Sequence, residues 1–154
     1  MTEKLHTLPA HELGRMIKSK QVSSREVTES FVERITAVDE SVKSFVTTTF
    51  DTAFSQADAV DEAIARGEDL GPLAGVPCAL KDNLNTRGIR TTCSSKILHN
   101  YKPVYDATVV NRLAAAGVVA LGKTNLDEFA MGSSTENSGF FVTHNPWNLS
   151  LIHI

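Results

Sequence analysis

A lysine closes a short apolar run in "GPLAGVPCALKDN", residues 71–83, and a hydroxyl-rich stretch, "MGSSTENSG" at 131–139, follows further along the chain. An ammonium group at the end of a buried strand has two readings. Its stem can pack on apolar surface while the charged head reaches water. Alternatively, Lys81 is desolvated, gives up its proton easily and serves as a base. A base needs a hydroxyl to activate, and 131–139 offers Ser133, Ser134, Thr135 and Ser138. Ser–Lys pairs are an established variant of the serine nucleophile scheme. The same hydroxyls serve equally well as loop residues bonding their own backbone, so these residue types alone leave both readings open.

Other chemistries are less well supplied. The Gly-Lys-Thr at 122–124 lacks the preceding glycine of a phosphate-binding loop and opens no obvious helix, which argues against ATP binding by that route. Cys78 and Cys93 stand in no metal-ligand or redox spacing, and the five histidines are dispersed, so no metal site is expected. The net charge is −3 with scattered basic residues, giving no Lys/Arg stripe for nucleic acid. With 42% hydrophobic and 21% charged residues over 154 positions, the chain has the composition of a soluble globular protein with room for one real core. The N-terminal "MTEKLHTLPA" has no apolar signal core, and the longest apolar tract, "LAAAGVVALG" at 113–122, is too short for a membrane span. A cytoplasmic protein, organellar in a eukaryote, is the expectation.

The elements that must position Lys81 read as follows. Residues 1–67 form a helical preface: Pro9 suits a first helical turn before Leu13, Met16 and Ile17, and "SSRE" places Ser23 and Glu26 at capping-box spacing ahead of Val27, Phe31, Val32 and Ile35. "KSFVTTTF" predicts a strand ending at Phe50, and Asp51 is expected to cap a helix that runs to Arg66 and closes at Gly67. From 68 to 150 the pattern changes to strand, helix, strand: "VPCAL" at 76–80, a helix capped by Asp106 and stopped by Gly117, then "GVVALG" at 117–122. That order makes a parallel crossover, whose functional groups gather at the carboxyl ends of the strands. Lys81 falls at one such end and Lys123 just past the other. A connection of Asp82 to Tyr105, with at most one helical turn near 94–98, is long enough to be functional. Together with 131–139 it is expected to border a cleft.

"GPLAGVPCALKDNLNTRGIRTTCSSKIL", "YDATVVNRLAAAGVVALGKTNLDEFAMGSSTENS" and "THNPWN" resemble the amidase signature family. The resemblance is strongest to its branch of A subunits of glutamine-dependent aspartyl/glutamyl-tRNA amidotransferases. It implies an α/β fold in which N-terminal helices pack on part of a mixed, helix-covered sheet. It also implies a Ser–Ser–Lys triad in which Lys81 deprotonates a bridging serine, with Met131, Gly132, Ser133 and Ser134 beside the acyl site as substrate-binding residues. The substrate implied is glutamine, and the partners implied are B and C subunits and, through the complex, misacylated tRNA. ATP and Mg belong to the assembled complex, no cofactor belongs to this chain, and no membrane is involved.

After "NPWNLS" the family continues into a glycine- and serine-rich run that holds both catalytic serines, whereas this chain ends "LIHI" at 151–154, a tail outside the family pattern. The chain is therefore expected to be an N-terminal fragment, inactive alone and poorly soluble. A stand-alone small-carboxamide amidase and a non-catalytic assembly module, docking through the amphipathic helix at 24–38, are the alternatives.

Overall fold

The structure is a computed structural model that describes residues 4–151, so the end of the 151–154 tail lies outside the described residues. It has the expected α/β architecture, with a small mixed sheet. The elements run α1 (Ala10–Lys18), α2 (Ser24–Val42), β1 (Phe45–Thr48), α3 (Phe50–Ala65), β2 (Pro77–Lys81), α4 (Thr108–Ala115) and β3 (Val119–Thr124). The chain forms two compact units: Met1–Thr36, Thr49–Cys78 and Arg112–Leu121 make one, and Ala37–Thr48, Ala79–Asn111 and Gly122–Ile154 the other.

In the first unit, α1 starts directly after Pro9, whose missing N–H a helix start does not need. The helical spacing of Leu13 and Ile17 carries both into a core with Val27 and Val76, flanked by Leu5, Leu8, Val22, Phe31 and Ile64. The capping box is present as the spacing predicts: Glu26 N–H donates to Ser23 Oγ at 3.0 Å, and Ser23 N–H donates to Glu26 Oε2 at 2.8 Å. A second cap comes from α3, where the Asp61 carboxylate accepts from Ser24 N–H at 2.7 Å and Arg25 N–H at 3.0 Å. The first turn of α2 thus has its orphan donors met from two directions.

The start of α3 corrects the sequence reading. The strand stops at Thr48, Phe50 already belongs to the helix, and Thr49 rather than Asp51 takes the capping position. Thr49 N–H donates to Leu121 O at 3.0 Å and its hydroxyl to Ala120 O at 2.9 Å, so the turn is set by the neighbouring strand rather than by a local cap. Ala53, Ala57, Val60 and Ala63 are buried along α3. Gly67, at φ 81°, closes it as expected, donating to Ile64 O.

The strand order is β1-β3-β2. Val119 N–H donates to Val76 O near the starts of β2 and β3, and Asp82 N–H to Thr124 O past their ends, so that pair is parallel. β1 is antiparallel to β3, with Phe45 opposite Thr124 and Thr47 opposite Lys123. Val46 is the extra residue of a bulge there. Two readings are corrected. β3 begins at Val119 and continues through Gly122 and Lys123 to Thr124, so Lys123 lies inside the strand; Gly117, at φ 74°, is the turn after α4. Asp106 does not cap α4: its carboxylate accepts from Arg87 N–H at 2.6 Å, and the helix starts at Thr108.

In the second unit, the connection after β2 is tied down by its own backbone. Cys93 N–H donates to Asp82 O, Thr91 N–H to Tyr101 O, Gly88 N–H to Pro103 O and Ala107 N–H to Asn85 O. Its one short helix is a 3-10 turn at Lys96–Leu98, as expected. Arg90 fastens this segment to β1, donating from Nε to Thr47 Oγ1 at 2.9 Å and from its terminal nitrogen to Val46 O. Gly122 is required where β1 and β3 meet, because a Cβ there would lie 2.4 Å from Thr47 O. Among the described residues no helix is long and apolar enough to cross a membrane.

Candidate active site

Strand alternation decides where Lys81 goes. On β2 and its continuation, Leu80 and Asp82 turn into the packed interior, at 5% and 0% exposure, while Ala79 and Lys81 lie on the exposed side. In this chain Lys81 itself is exposed. Its ammonium sits at the carboxyl end of β2, at the surface, and the backbone beneath it is what the structure buries.

The buried ammonium belongs to Lys123. It is 1% exposed, donates to Leu84 O and to Thr91 Oγ1 at 2.7 Å each, and lies 3.6 Å from Asp82 Oδ1. Burial pushes the Lys123 amine below the usual lysine range, with the Asp82 charge opposing that shift. Asp82 Oδ2 accepts from Thr92 N–H at 3.0 Å and from the Thr92 hydroxyl. Asp82 Oδ1 has no hydrogen-bond partner of its own and faces Lys123. Asp82 is held at every polar group it owns except that oxygen, since its N–H and C=O are bonded to Thr124 and Cys93.

The 92–95 segment joins this pair to the next loop. Cys93 and Ser94 both adopt left-handed backbone, at φ 51°, as do Phe129 and Ala130 at φ 54° and 62°. Non-glycine residues there are strained, and surrounding bonds hold them. Phe129 N–H donates to Cys93 O and Gly139 N–H to Ser94 O. The Ser94 hydroxyl donates to Asn125 Oδ1 and accepts from Leu126 N–H. Asn125 is fully used: its Oδ1 also accepts from Ser138 Oγ, and its Nδ2 donates to Phe141 O and Thr143 Oγ1. Burial pushes the Cys93 thiol up, Asp82 adds to this and Lys123 opposes it; Cys78 is pushed up by burial too. Neither cysteine has the lowered pKa of an activated nucleophile.

The hydroxyl-rich loop is wrapped around a carboxylate. Asp127, 3% exposed, accepts from Ser134 N–H at 2.9 Å and Thr135 N–H at 3.0 Å on Oδ2, and from Asn137 N–H at 2.8 Å on Oδ1. These backbone donors, Asn137 first, hold the Asp127 carboxyl below its usual range. Gly132 lies so close that a Cβ would come 2.5 Å from Asp127 Cγ. Of the four expected substrate-binding residues, Met131 is 75% exposed, Gly132 and Ser133 are exposed, and Ser134 is half-buried with its hydroxyl donating to Glu136. Asp82, next to Lys81, and Phe129, two residues before Met131, are linked through Cys93, whose N–H donates to Asp82 O and whose C=O accepts from Phe129 N–H. The two loops expected to border a cleft are thus hydrogen-bonded to each other along 93–94 and 129–139.

Sequence reasoning placed Lys123 just past a strand end without seeing its burial, and did not single out Asp82 or Asp127. Lys123 was legible as a lone cation in the apolar strand "VVALGKT", and Asp127 as a carboxylate ahead of a Gly/Ser/Thr loop rich in free N–H groups. Asp82 had no signal beyond its place after Lys81. Among the described residues no group of His, Cys, Asp or Glu is placed to hold a metal ion.

Comparison with known proteins gives the family. The profile of the Amidase family matches residues 26–153. The A subunit of the glutamyl-tRNA(Gln) amidotransferase of Moorella thermoacetica is 59% identical over 148 residues, 96% of this chain and 30% of that protein. Its counterpart in Acidothermus cellulolyticus is 58% identical over 143 residues, covering 93% of this chain and 28% of its own length. Among solved structures, the A subunit of the Thermotoga maritima glutamyl-tRNA(Gln) amidotransferase superposes with a TM-score of 0.72 at 38% identity, over 97% of this chain and 29% of that one. A bacterial aryl acylamidase of the amidase signature enzymes superposes with a TM-score of 0.87 at 30% identity, over 96% of this chain and 31% of its own. The chain spans about 30% of the length of the curated relatives it matches. With most of its length matched, and a lysine closing β2 above a locked turn, the chain belongs to the amidase family.

Proposed function

We propose that this chain is the lysine-bearing part of the glutamine-hydrolysing subunit of a tRNA amidotransferase, and that Lys81 is the base of its acyl-transfer reaction. The observation that carries the reading is the placement of Lys81 at the carboxyl end of β2, with the backbone of the next residue fixed on both sides. Lys81 takes a proton from a bridging serine, which takes one from the nucleophilic serine. Both serines come from the part of the protein that follows Ser150 in the longer relatives. The serine oxygen forms a bond to the side-chain carbonyl carbon of glutamine, the C–N bond breaks, and ammonia leaves with the proton returned from Lys81. Water then cleaves the acyl-serine ester to glutamate. The loop 131–134, held by Asp127, lies beside the acyl group. The B and C subunits, misacylated Glu-tRNA or Asp-tRNA, and ATP with Mg act in the assembled complex.

A second reading, a stand-alone carboxamide hydrolase, draws on the TM-score of 0.87 with the aryl acylamidase. The higher identity to the amidotransferase subunits, 59% over 96% of the chain, favours the first.

The test is a chimera in which residues 1–150 replace the matching part of the Moorella thermoacetica relative, expressed with the B and C subunits of that organism. Glutamine-dependent ammonia release is expected from the chimera, none from Lys81→Ala with the complex still assembled, and none from the 154-residue chain alone. Normal ammonia release by the Lys81→Ala chimera would remove Lys81 from the mechanism. Hydrolysis of simple carboxamides, but not glutamine, would favour the second reading.

A further inference from the structure

We infer that Lys123 and Asp82 act as a buried positioning pair for Lys81, setting the angle at which the end of β2 presents its amine; this rests on the proposed role of Lys81. Burying two charges stabilises a fold little compared with packing apolar residues of the same volume. What a buried pair does supply is a directional constraint, because each partner must be met at fixed distances. Here it gathers separate segments onto one point. Lys123 of β3 reaches Leu84 O, in the turn after Lys81, and Thr91 Oγ1 in the connection beyond it. Asp82 takes the N–H and hydroxyl of Thr92 on one carboxylate oxygen and faces Lys123 with the other. The turn itself closes on Lys81, whose C=O accepts from Leu84 N–H at 3.0 Å.

Lys81 is thereby bracketed. Its own carbonyl and the carbonyl of Leu84 are both fixed, the second by the Lys123 ammonium, and its successor Asp82 is bonded through N–H, C=O and carboxylate. The exposed side chain keeps its freedom, but its Cα and the direction of its Cβ do not. For proton transfer between heavy atoms that must approach within roughly 3 Å, a displacement of about 1 Å at the root of the base is enough to lower the rate about a hundredfold. Lys123 and Asp82 thus act through Lys81.

The chimera described above carries the test, with the double variant Lys123→Met/Asp82→Asn. Both changes preserve volume and together leave no unpaired buried charge. The expected result is an assembled complex with its KM for glutamine within twofold of the parent. Its kcat per active site, counted by titrating the acyl-enzyme, should fall at least tenfold, and the acidic limb of the kcat profile should shift. An unchanged kcat and profile overturn the proposal. Should the double variant not fold, Thr91→Val removes the hydroxyl that accepts from Lys123 and donates to Ile89 O; a severalfold lower kcat per titrated site supports the pair, and parental kcat overturns it. Amide hydrogen exchange at Asp82 and Leu84 in the 154-residue chain separates this inference from the role of Lys81. Loss of their protection in the double variant supports positioning even if Lys81→Ala proves active, and parental protection overturns it.

Discussion

Lys81 and Asp82 are consecutive residues facing opposite ways: the lysine is exposed at the end of β2, while the aspartate beside it is 0% exposed and 3.6 Å from the buried Lys123 ammonium. In this chain the residue proposed for chemistry is exposed, and the ion pair beside it is buried.

The first prediction concerns that pair. Lys123→Met alone leaves Asp82 buried with Oδ1 facing no charge, and removal of one partner of a buried pair costs about 3–5 kcal/mol. Urea denaturation of the 154-residue chain should show this loss, with most of it recovered when Asp82→Asn is added. A single variant as stable as the parent would mean that the pair is open to water in solution.

The second concerns Asp127. Its carboxyl is held low by N–H groups of Asn137, Thr135 and Ser134, so its contribution to stability is present above the unfolded value of about 3.9 and is lost as pH falls through its lower folded value. Amide exchange at Ser134, Thr135 and Asn137 should stay slow down to the ordinary aspartate range and quicken only below it. Asp127→Asn should abolish that protection at neutral pH, since one amide oxygen cannot replace two carboxylate oxygens for three donors. Protection surviving in the variant would show that the loop is held from elsewhere.

What the sequence conveyed follows from how local each feature is. The capping box at Ser23 and Glu26, the Leu13/Ile17 stripe and the glycine stop at Gly67 depend on neighbours within a turn, and all are present. The start of α3 and the end of β3 depended on partners far along the chain. Thr49 turns because of Ala120 and Leu121, and β3 extends to Thr124 because β1 pairs with it there. A strand's period gives the alternation of Lys81 and Asp82 but not which of the two faces is covered. The lysine that is buried was visible in the same reading, placed one element boundary too late.

The third prediction tests that boundary. A Cβ at Gly122 would meet Thr47 O at 2.4 Å, so Gly122→Ala must push β1 away from β3. Overpacking of this kind costs about 1–3 kcal/mol. Exchange of the Asn125 amide, which donates to Ser44 O at 2.8 Å next to the displaced pair, should quicken in step with the lower denaturation midpoint. Unchanged exchange would place β1 elsewhere in solution.

The last prediction uses the double capping of α2. Ser23 contributes one hydroxyl to one N–H, whereas Asp61 contributes two oxygens to the N–H groups of Ser24 and Arg25. Loss of an N-cap side chain costs about 0.5–2 kcal/mol, and with Asp61 still in place Ser23→Ala should fall at the low end of that range. Asp61→Ala removes two acceptors and should cost more, and the two losses should couple in the double variant, because both side chains hold the same first turn. Glu26 reports on the local half of the arrangement. Its carboxyl lies below the ordinary range through the Ser23 N–H first and the Ser23 hydroxyl second, so Ser23→Ala should move it only part of the way back in an NMR titration. A Ser23→Ala variant that loses more stability than Asp61→Ala would show that the capping box, and not the carboxylate of the neighbouring helix, starts α2.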